Sequence, residues 1–297
     1  MHDPSNHQGP RLWLLSGTGD GLRLALELQQ LGWRLLVSVV TPEAALAYPA
    51  LPGLELRVGP VDGQAGVREM LTQACRAGDP FLAVVDASHP FAVQITAALA
   101  AVWSEGESRQ PPLLRLHRGG FGAGAEPEVR HLAHLDALAD LPLAGRHLLL
   151  AIGARQLARA VALSPGALHH ARLLPSATAL QKAGAAGLAA ARLACLRPGD
   201  PLERAVLRAL LRRWTIDAVI CRQSGGVTEQ LWRDLAQELK LELLLLDRPE
   251  EPAAMRQLEA AELVAALEGL RPHPARQPGR GRPRAAAASP EAGGPAG

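Results

Sequence analysis

Leu12-Trp13-Leu14-Leu15-Ser16-Gly17-Thr18-Gly19-Asp20-Gly21 is the stretch on which the reading of the fold turns. An unbroken apolar run, then alternating glycines, then the helical pattern Leu22–Leu31 describe a buried strand that turns sharply into a helix. Glycines at such a turn let the backbone approach a pyrophosphate, and the free N–H groups that open a helix attract anionic oxygens. The spacing Gly17-x-Gly19 suits a dinucleotide-binding turn, but Leu22 stands at the third glycine position. A plain tight turn is the alternative at this point.

Outward from that stretch the same alternation continues. Leu35–Val40, Leu54–Val58, Leu82–Asp86 and Leu113–His117 read as further strands, with helices over Val67–Arg76 and Phe91–Trp103. A loop rich in glycine follows from Gly119 to Gly124. The rhythm then resumes, with strands expected at His147–Ile152, Arg172–Leu174, Arg192–Leu196, Ile216–Cys221 and Leu241–Leu246. Helices are expected at Gln156–Leu163, Leu202–Arg213 and Glu229–Leu239, and Ala253–Leu267 reads as a closing helix. Strands apolar throughout and separated by helices call for parallel sheets covered on both faces. The expected fold is therefore α/β, two Rossmann-like domains with parallel sheets and a cleft between them. The divisions are a flexible N-terminus over 1–10, a dinucleotide-binding domain over 11–124, a substrate-side α/β domain over 125–270, and a disordered tail over 271–297 rich in Pro, Ala, Gly and Arg.

Bulk composition excludes several classes of function. The 297 residues carry a net charge of +2, too little to drive general attraction to nucleic acid or anionic membrane. No apolar run approaches the ~18 residues that a membrane span needs, and Met1–Pro10 lacks the apolar core of a signal peptide. Cys75, Cys195 and Cys221 are widely spaced, so neither a disulfide framework nor a zinc site is indicated and a reducing, cytoplasmic setting is expected. His131-x-x-His134 and His169-His170 lack further ligands at metal spacing, so no metal site is expected. Arginine supplies nearly all the basic charge, with only Lys182 and Lys240 besides, and guanidinium is the group that grips carboxylates in a bidentate fork.

The fourth apolar strand ends in Asp86-Ala87-Ser88-His89-Pro90-Phe91-Ala92. Proline suits a helix start and restrains His89 to extended backbone. First and fourth strands are neighbours at the switch point of a doubly wound sheet, so Ser88 and His89 should lie beside Gly17–Gly21. A simple helix cap is the alternative. Farther on, Gly153-Ala154-Arg155-Gln156 leads from a strand into a helix and offers a guanidinium fork. Ser224-Gly225-Gly226-Val227-Thr228 offers glycines and hydroxyls at a helix start, where anions bind.

Taken in order, Gly17-Thr18, Arg57-Val58-Gly59 with Gly63 and Gly66, Asp86–Ala92, and Leu114-Arg115-Leu116 with Arg118 resemble the precorrin-6A reductases. So do Gly153–Gln156, Arg172-Leu173-Leu174-Pro175, Ser224–Gly226 and Asp247-Arg248-Pro249; the resemblance runs from about Leu12 to Pro249. Departures are Leu22 where relatives carry arginine, with Arg23 adjacent, and Val39-Val40-Thr41 in place of an alanine-glycine-arginine. Arg222 replaces a lysine, and Pro198-Gly199-Asp200-Pro201 replaces a Gly-Pro-aromatic segment.

The resemblance implies two Rossmann-like domains, an active site in the cleft between them, and reduction of one ring C=C bond of precorrin-6A or its cobalt-loaded equivalent. The implied cofactor is NADPH, with NADH left open because the second strand shows no arginine at its end. Cofactor contacts are expected from Gly17, Thr18, Gly19, Asp20, Gly21, Ser38, Thr41, Ala87, Ser88, His89 and Pro90. Substrate contacts are expected from Arg118, Gly153, Arg155, Arg172, Ser224, Gly225, Gly226 and Thr228. His89 is the candidate catalytic residue, as proton donor or as part of the nicotinamide pocket. Expected partners are the tetrapyrrole and, as candidates, neighbouring enzymes of the corrin pathway, with no nucleic acid and no membrane. Two other functions compete: a non-catalytic dinucleotide- or tetrapyrrole-binding protein of the same fold, and a SAM-dependent transferase.

Overall fold

The computed structural model describes residues 9–106, 110–121, 129–253 and 255–271. Nearly all of the expected N-terminal and C-terminal flexible segments, 1–10 and 271–297, lie outside the described residues, as does the end of the glycine-rich loop.

The first sheet is built from β1 (Arg11–Leu15), α1 (Gly19–Gln30), β2 (Arg34–Val39), α2 (Pro42–Ala45), β3 (Leu54–Val58), α3 (Gly63–Arg76), β4 (Ala83–Asp86), α4 (Val93–Ser104) and β5 (Leu113–Leu116). The second is built from β6 (Val129–Leu132), β7 (His147–Ala151), α5 (Leu157–Leu163), β8 (Leu168–Leu173), α6 (Ala177–Ala185), β9 (Leu193–Cys195), α7 (Glu203–Arg213), β10 (Ala218–Arg222), α8 (Val227–Leu239) and β11 (Glu242–Leu246). The chain then returns through β12 (Arg256–Leu258) and α9 (Ala260–Gly269).

Strand order is β12-β5-β4-β1-β2-β3 in the first sheet and β6-β11-β10-β7-β8-β9 in the second, with every pairing parallel. Both are doubly wound sheets, with switch points between β1 and β4 and between β7 and β10. These are two Rossmann-like sheets, as the alternation of apolar runs and helices implies.

Burial on both faces explains the unbroken apolar strands. Leu12 and Leu14 belong to one core cluster, while Trp13 and Leu15 belong to another on the opposite face. Leu148 and Leu150 are divided from Leu149 in the same way in the second sheet. All three are fully buried, so Leu149→Ala would cost about 2–5 kcal/mol.

The end of the chain differs from the expected division. That division places residues up to 270 in the second unit, yet β12 pairs with β5, and Leu263 and Leu267 of α9 pack with Leu12, Leu14 and Val37. Arg256-Gln257-Leu258 is short and polar, as suits an edge strand, which is why it reads as the start of a helix. Val129-Arg130-His131-Leu132, at the opposite edge of the second sheet, escapes notice for the same reason.

Candidate active site

Thr18 caps α1, its Oγ1 accepting from Gly21 N at 3.3 Å. A side chain added at Gly17 or Gly19 would meet no atom within 4 Å, so the outer face of this loop is open. Gly21 serves close packing instead, since a Cβ there would lie 2.0 Å from Ser16 Oγ. Open glycine backbone at a twelve-residue helix start, in the crevice of a doubly wound sheet, fits the pyrophosphate of a dinucleotide.

At the end of the neighbouring β4, Asp86 is wholly buried. Its Oδ1 accepts from Ser88 N at 2.9 Å, and its Oδ2 accepts from Thr96 Oγ1 at 2.9 Å and Arg115 Nη1 at 2.7 Å. Arg115 is equally buried and donates through Nη2 to Glu251 Oε1 at 3.0 Å. A buried acid-arginine-acid triad thus fixes the turn that presents His89. Removing one member would strand buried charge, at about 3–5 kcal/mol.

His89 Nδ1 accepts from Phe91 N at 3.1 Å, which leaves the proton of the neutral ring on Nε2. Burial, then Arg222, Arg118, Arg115 and Arg248, push its pKa down to about 3. At neutral pH the ring is uncharged, a poor starting point for an imidazolium proton donor.

Arg118 does not offer its guanidinium to a ligand. Nε donates to Asp20 Oδ2 at 2.8 Å, Nη2 to Thr18 Oγ1 at 2.9 Å and Ala87 O at 3.2 Å, and Nη1 to Ser88 O at 3.0 Å. The side chain therefore ties the glycine loop to the β4 turn. Burial alone would raise the Asp20 carboxyl, but hydrogen bonds from Arg118 and Arg23 outweigh it and hold its pKa below the ordinary value.

The second unit meets the first through loops at the carboxyl ends of its strands. Phe91 packs against the core of the second sheet, and the Arg222 guanidinium lies 5.1 Å from the centre of its ring. Arg248 Nη1 donates to Arg118 O at 2.9 Å. Gly225 has φ +68°, and a Cβ there would sit 2.5 Å from Arg248 Nη2 and 2.7 Å from Gly119 O. Only glycine fits both that backbone and that approach. Beside it, a Cβ on Gly226 would lie 3.4 Å from Asp20 Oδ2, so the two glycine loops face one another.

Other expected contacts are placed differently. Ser38 is buried and its Oγ accepts from Trp13 Nε1 at 2.9 Å, which takes it out of the mouth of the sheet. Thr41 is exposed and caps α2. Arg172 is buried and ion-paired with Glu203, and Gly225 N donates to Glu229 Oε2 at 2.8 Å, so one N–H of the second glycine loop is already satisfied. Arg155 is exposed and has no side-chain partner among the described residues. Ser224 and Thr228 are half-buried beside the loop, and Gly153 leaves room for Arg222, whose Nη2 lies 3.5 Å from a Cβ added there. Sequence reasoning missed Glu251 and treated Arg222 only as a departure; Arg115 and Arg248 appear in the motifs without a role.

The family described as Precorrin-6x reductase CbiJ/CobK matches residues 11–268. The chain belongs to that family. It is 34% identical over 244 residues to the cobalt-precorrin-6A reductase of Synechocystis, covering 80% of this chain and 88% of the relative. It is 31% identical over 262 residues to the precorrin-6A reductase of Rhodobacter capsulatus, covering 88% and 94%. A solved structure of CobK precorrin-6A reductase superposes with a TM-score of 0.70 at 29% identity, covering 88% of this chain and 97% of that one. This reductase is thus an oxidoreductase of the cobalamin-pathway type, and its family implies a nicotinamide dinucleotide as cofactor. No helix among the described residues is long and apolar enough to cross a membrane.

Proposed function

We propose that this chain reduces one ring C=C bond of precorrin-6A, or of its cobalt-loaded form, to the 6B form with NADPH. The observation that carries the reading is the meeting of two switch points: open glycine backbone at Gly17 and Gly19 on one side, and Gly153, Arg155 and Arg222 on the other. Bound at the first loop, the reduced nicotinamide supplies a hydride to the substrate ring.

The protein's own work is alignment and charge. Gly17 and Gly19 admit the pyrophosphate, and Arg118 holds that loop against β4. Ala87, Ser88 and Pro90 shape the wall beside it, while neutral His89 lines the nicotinamide pocket and donates through Nε2. The single proton that completes the reduction comes from water, since the His89 pKa of about 3 leaves almost no imidazolium at neutral pH. Arg155, with the 224–228 loop, faces the substrate's carboxylates.

One observation supports NADPH over NADH, set against the Glu43 carboxylate in the first turn of α2, which could accept from an unphosphorylated ribose. Arg57 pairs with Ser38 in register, and its Nη1 and Nη2 donate to Gly59 O and Pro60 O, both at 2.9 Å, fixing a cation beside the end of β2.

Anaerobic incubation with precorrin-6A and each reduced cofactor tests the reading. One-to-one consumption of NADPH and a tetrapyrrole two hydrogens richer are expected. Binding of both ligands without turnover would favour the non-catalytic alternative.

A further inference from the structure

The carboxyl ends of β10, β7, β8 and β9, four adjacent strands, are followed by Val227, Arg155, Leu174 and Leu202 respectively. The three apolar side chains are 63%, 53% and 67% exposed. A lone exposed leucine is ordinary on any protein surface. A row of them along consecutive strand ends is different, because that crevice is where a doubly wound sheet receives its ligand. Val93, which opens α4 just after the His89 turn, is also exposed, so both units show apolar surface at their carboxyl ends.

Two guanidiniums accompany the row. Arg155 is exposed and Arg222 half-buried, and neither has a hydrogen-bonded or ion-paired partner among the described residues. Arg222 Nε is shielded from solvent and lacks an acceptor among the described residues. Arg118, Arg115 and Arg248, by contrast, are all engaged with acids or carbonyls. Guanidiniums without an acid or carbonyl partner, one of them lying only over the Phe91 ring, at the same strand ends as exposed apolar side chains describe a ligand with an apolar face and an anionic rim.

From this juxtaposition we infer that Val227, Leu174 and Leu202 form the platform on which the substrate macrocycle lies, its edge carboxylates held by Arg155 and Arg222. The inference rests on the proposed function and assigns the residues of its substrate side. A tetrapyrrole is the occupant that supplies a broad flat apolar face and several carboxylates together. Arg172 takes no part, since Glu203 neutralises it.

The test is equilibrium absorbance titration of anaerobic precorrin-6A into the full chain without cofactor, alongside NADPH titration by fluorescence. Leu202→Ser with Val227→Ser, and separately Arg222→Gln, are compared with the unaltered protein. The apolar pair is exposed, so thermal midpoints should stay unchanged. Each variant should bind precorrin-6A about tenfold or more weakly, and the serine pair should leave NADPH affinity unchanged. If the unaltered protein binds precorrin-6A and the serine pair binds it equally well, the platform is wrong while the proposed function stands. If the unaltered protein binds no precorrin-6A, both fall.

Discussion

Arg118 Nε donates to Asp20 Oδ2 at 2.8 Å across the first sheet, while the backbone oxygen of the same arginine accepts from Arg248 of the second unit. One residue therefore touches the glycine loop after β1, the His89 turn and the junction between units. Arg118→Gln should weaken NADPH binding by about tenfold or more, the scale of a lost charge-assisted hydrogen bond. Asp20→Asn should do part of the same damage, and the double variant little more than the worse single one. Fluorescence titration of the four proteins checks it; simple additivity would mean that the two residues act separately.

Neutral His89 gives a prediction opposite to that of a proton donor. With its pKa held near 3 by burial and four arginines, kcat should show no fall as pH rises through the usual histidine range. His89→Asn should weaken NADPH binding and lower kcat modestly. A loss of about 10²-fold in kcat at unchanged cofactor affinity would restore the proton-donor role.

The glycines separate binding from assembly. Gly19→Val has open space around it, so it should leave the thermal midpoint alone and weaken the dinucleotide. Gly225→Ala must enter positive-φ backbone and press on Arg248 and the Gly119 carbonyl. It should destabilise the protein by about 1–3 kcal/mol in chemical denaturation.

Acid should destabilise the second sheet through His170. Its ring stacks on His147 and packs tilted against Trp214, and neither ring nitrogen has a partner among the described residues. Burial, then Arg192 and the neighbouring histidines, lower its pKa to about 4. The unfolded chain therefore binds the proton more tightly. This contribution to stability is complete above the ordinary value of 6.5 and is lost as pH falls from there toward 4. His89 loses stability in the same direction, toward 3. His170→Phe keeps the stack and should flatten the thermal midpoint against pH between 6.5 and 4. An unaltered slope would place the acid sensitivity elsewhere.

Much of the fold is legible in the sequence because strands buried on both faces carry runs of consecutive apolar residues with polar ones mostly at their ends: β1, β2, β4, β7 and β11 announce themselves. The edge strands β3 and β9 are legible too, but the other two, β6 and β12, are not, since they mix polar residues with few apolar ones. Nor is β8 legible over its first half, where His169 and His170 are buried despite their polarity. For the candidate site, glycine spacing and the His89-Pro90 turn pick out two segments that follow adjacent strands, β1 and β4. What pattern cannot convey is which arginines are already paired. Arg118 and Arg172 look identical to Arg155 in sequence, and only the positions of Asp20 and Glu203 show that the first two are already ion-paired.

The most direct measurement of the central claim is isotope transfer. Precorrin-6A is incubated anaerobically in ordinary water with NADPH carrying deuterium at the transferred position of the nicotinamide, and the product is examined by mass spectrometry and NMR. Hydride transfer within the cleft predicts one deuterium on a ring carbon, the second hydrogen coming from the water. A reduced product free of deuterium, or oxidation of the cofactor with no change in the tetrapyrrole, would contradict it.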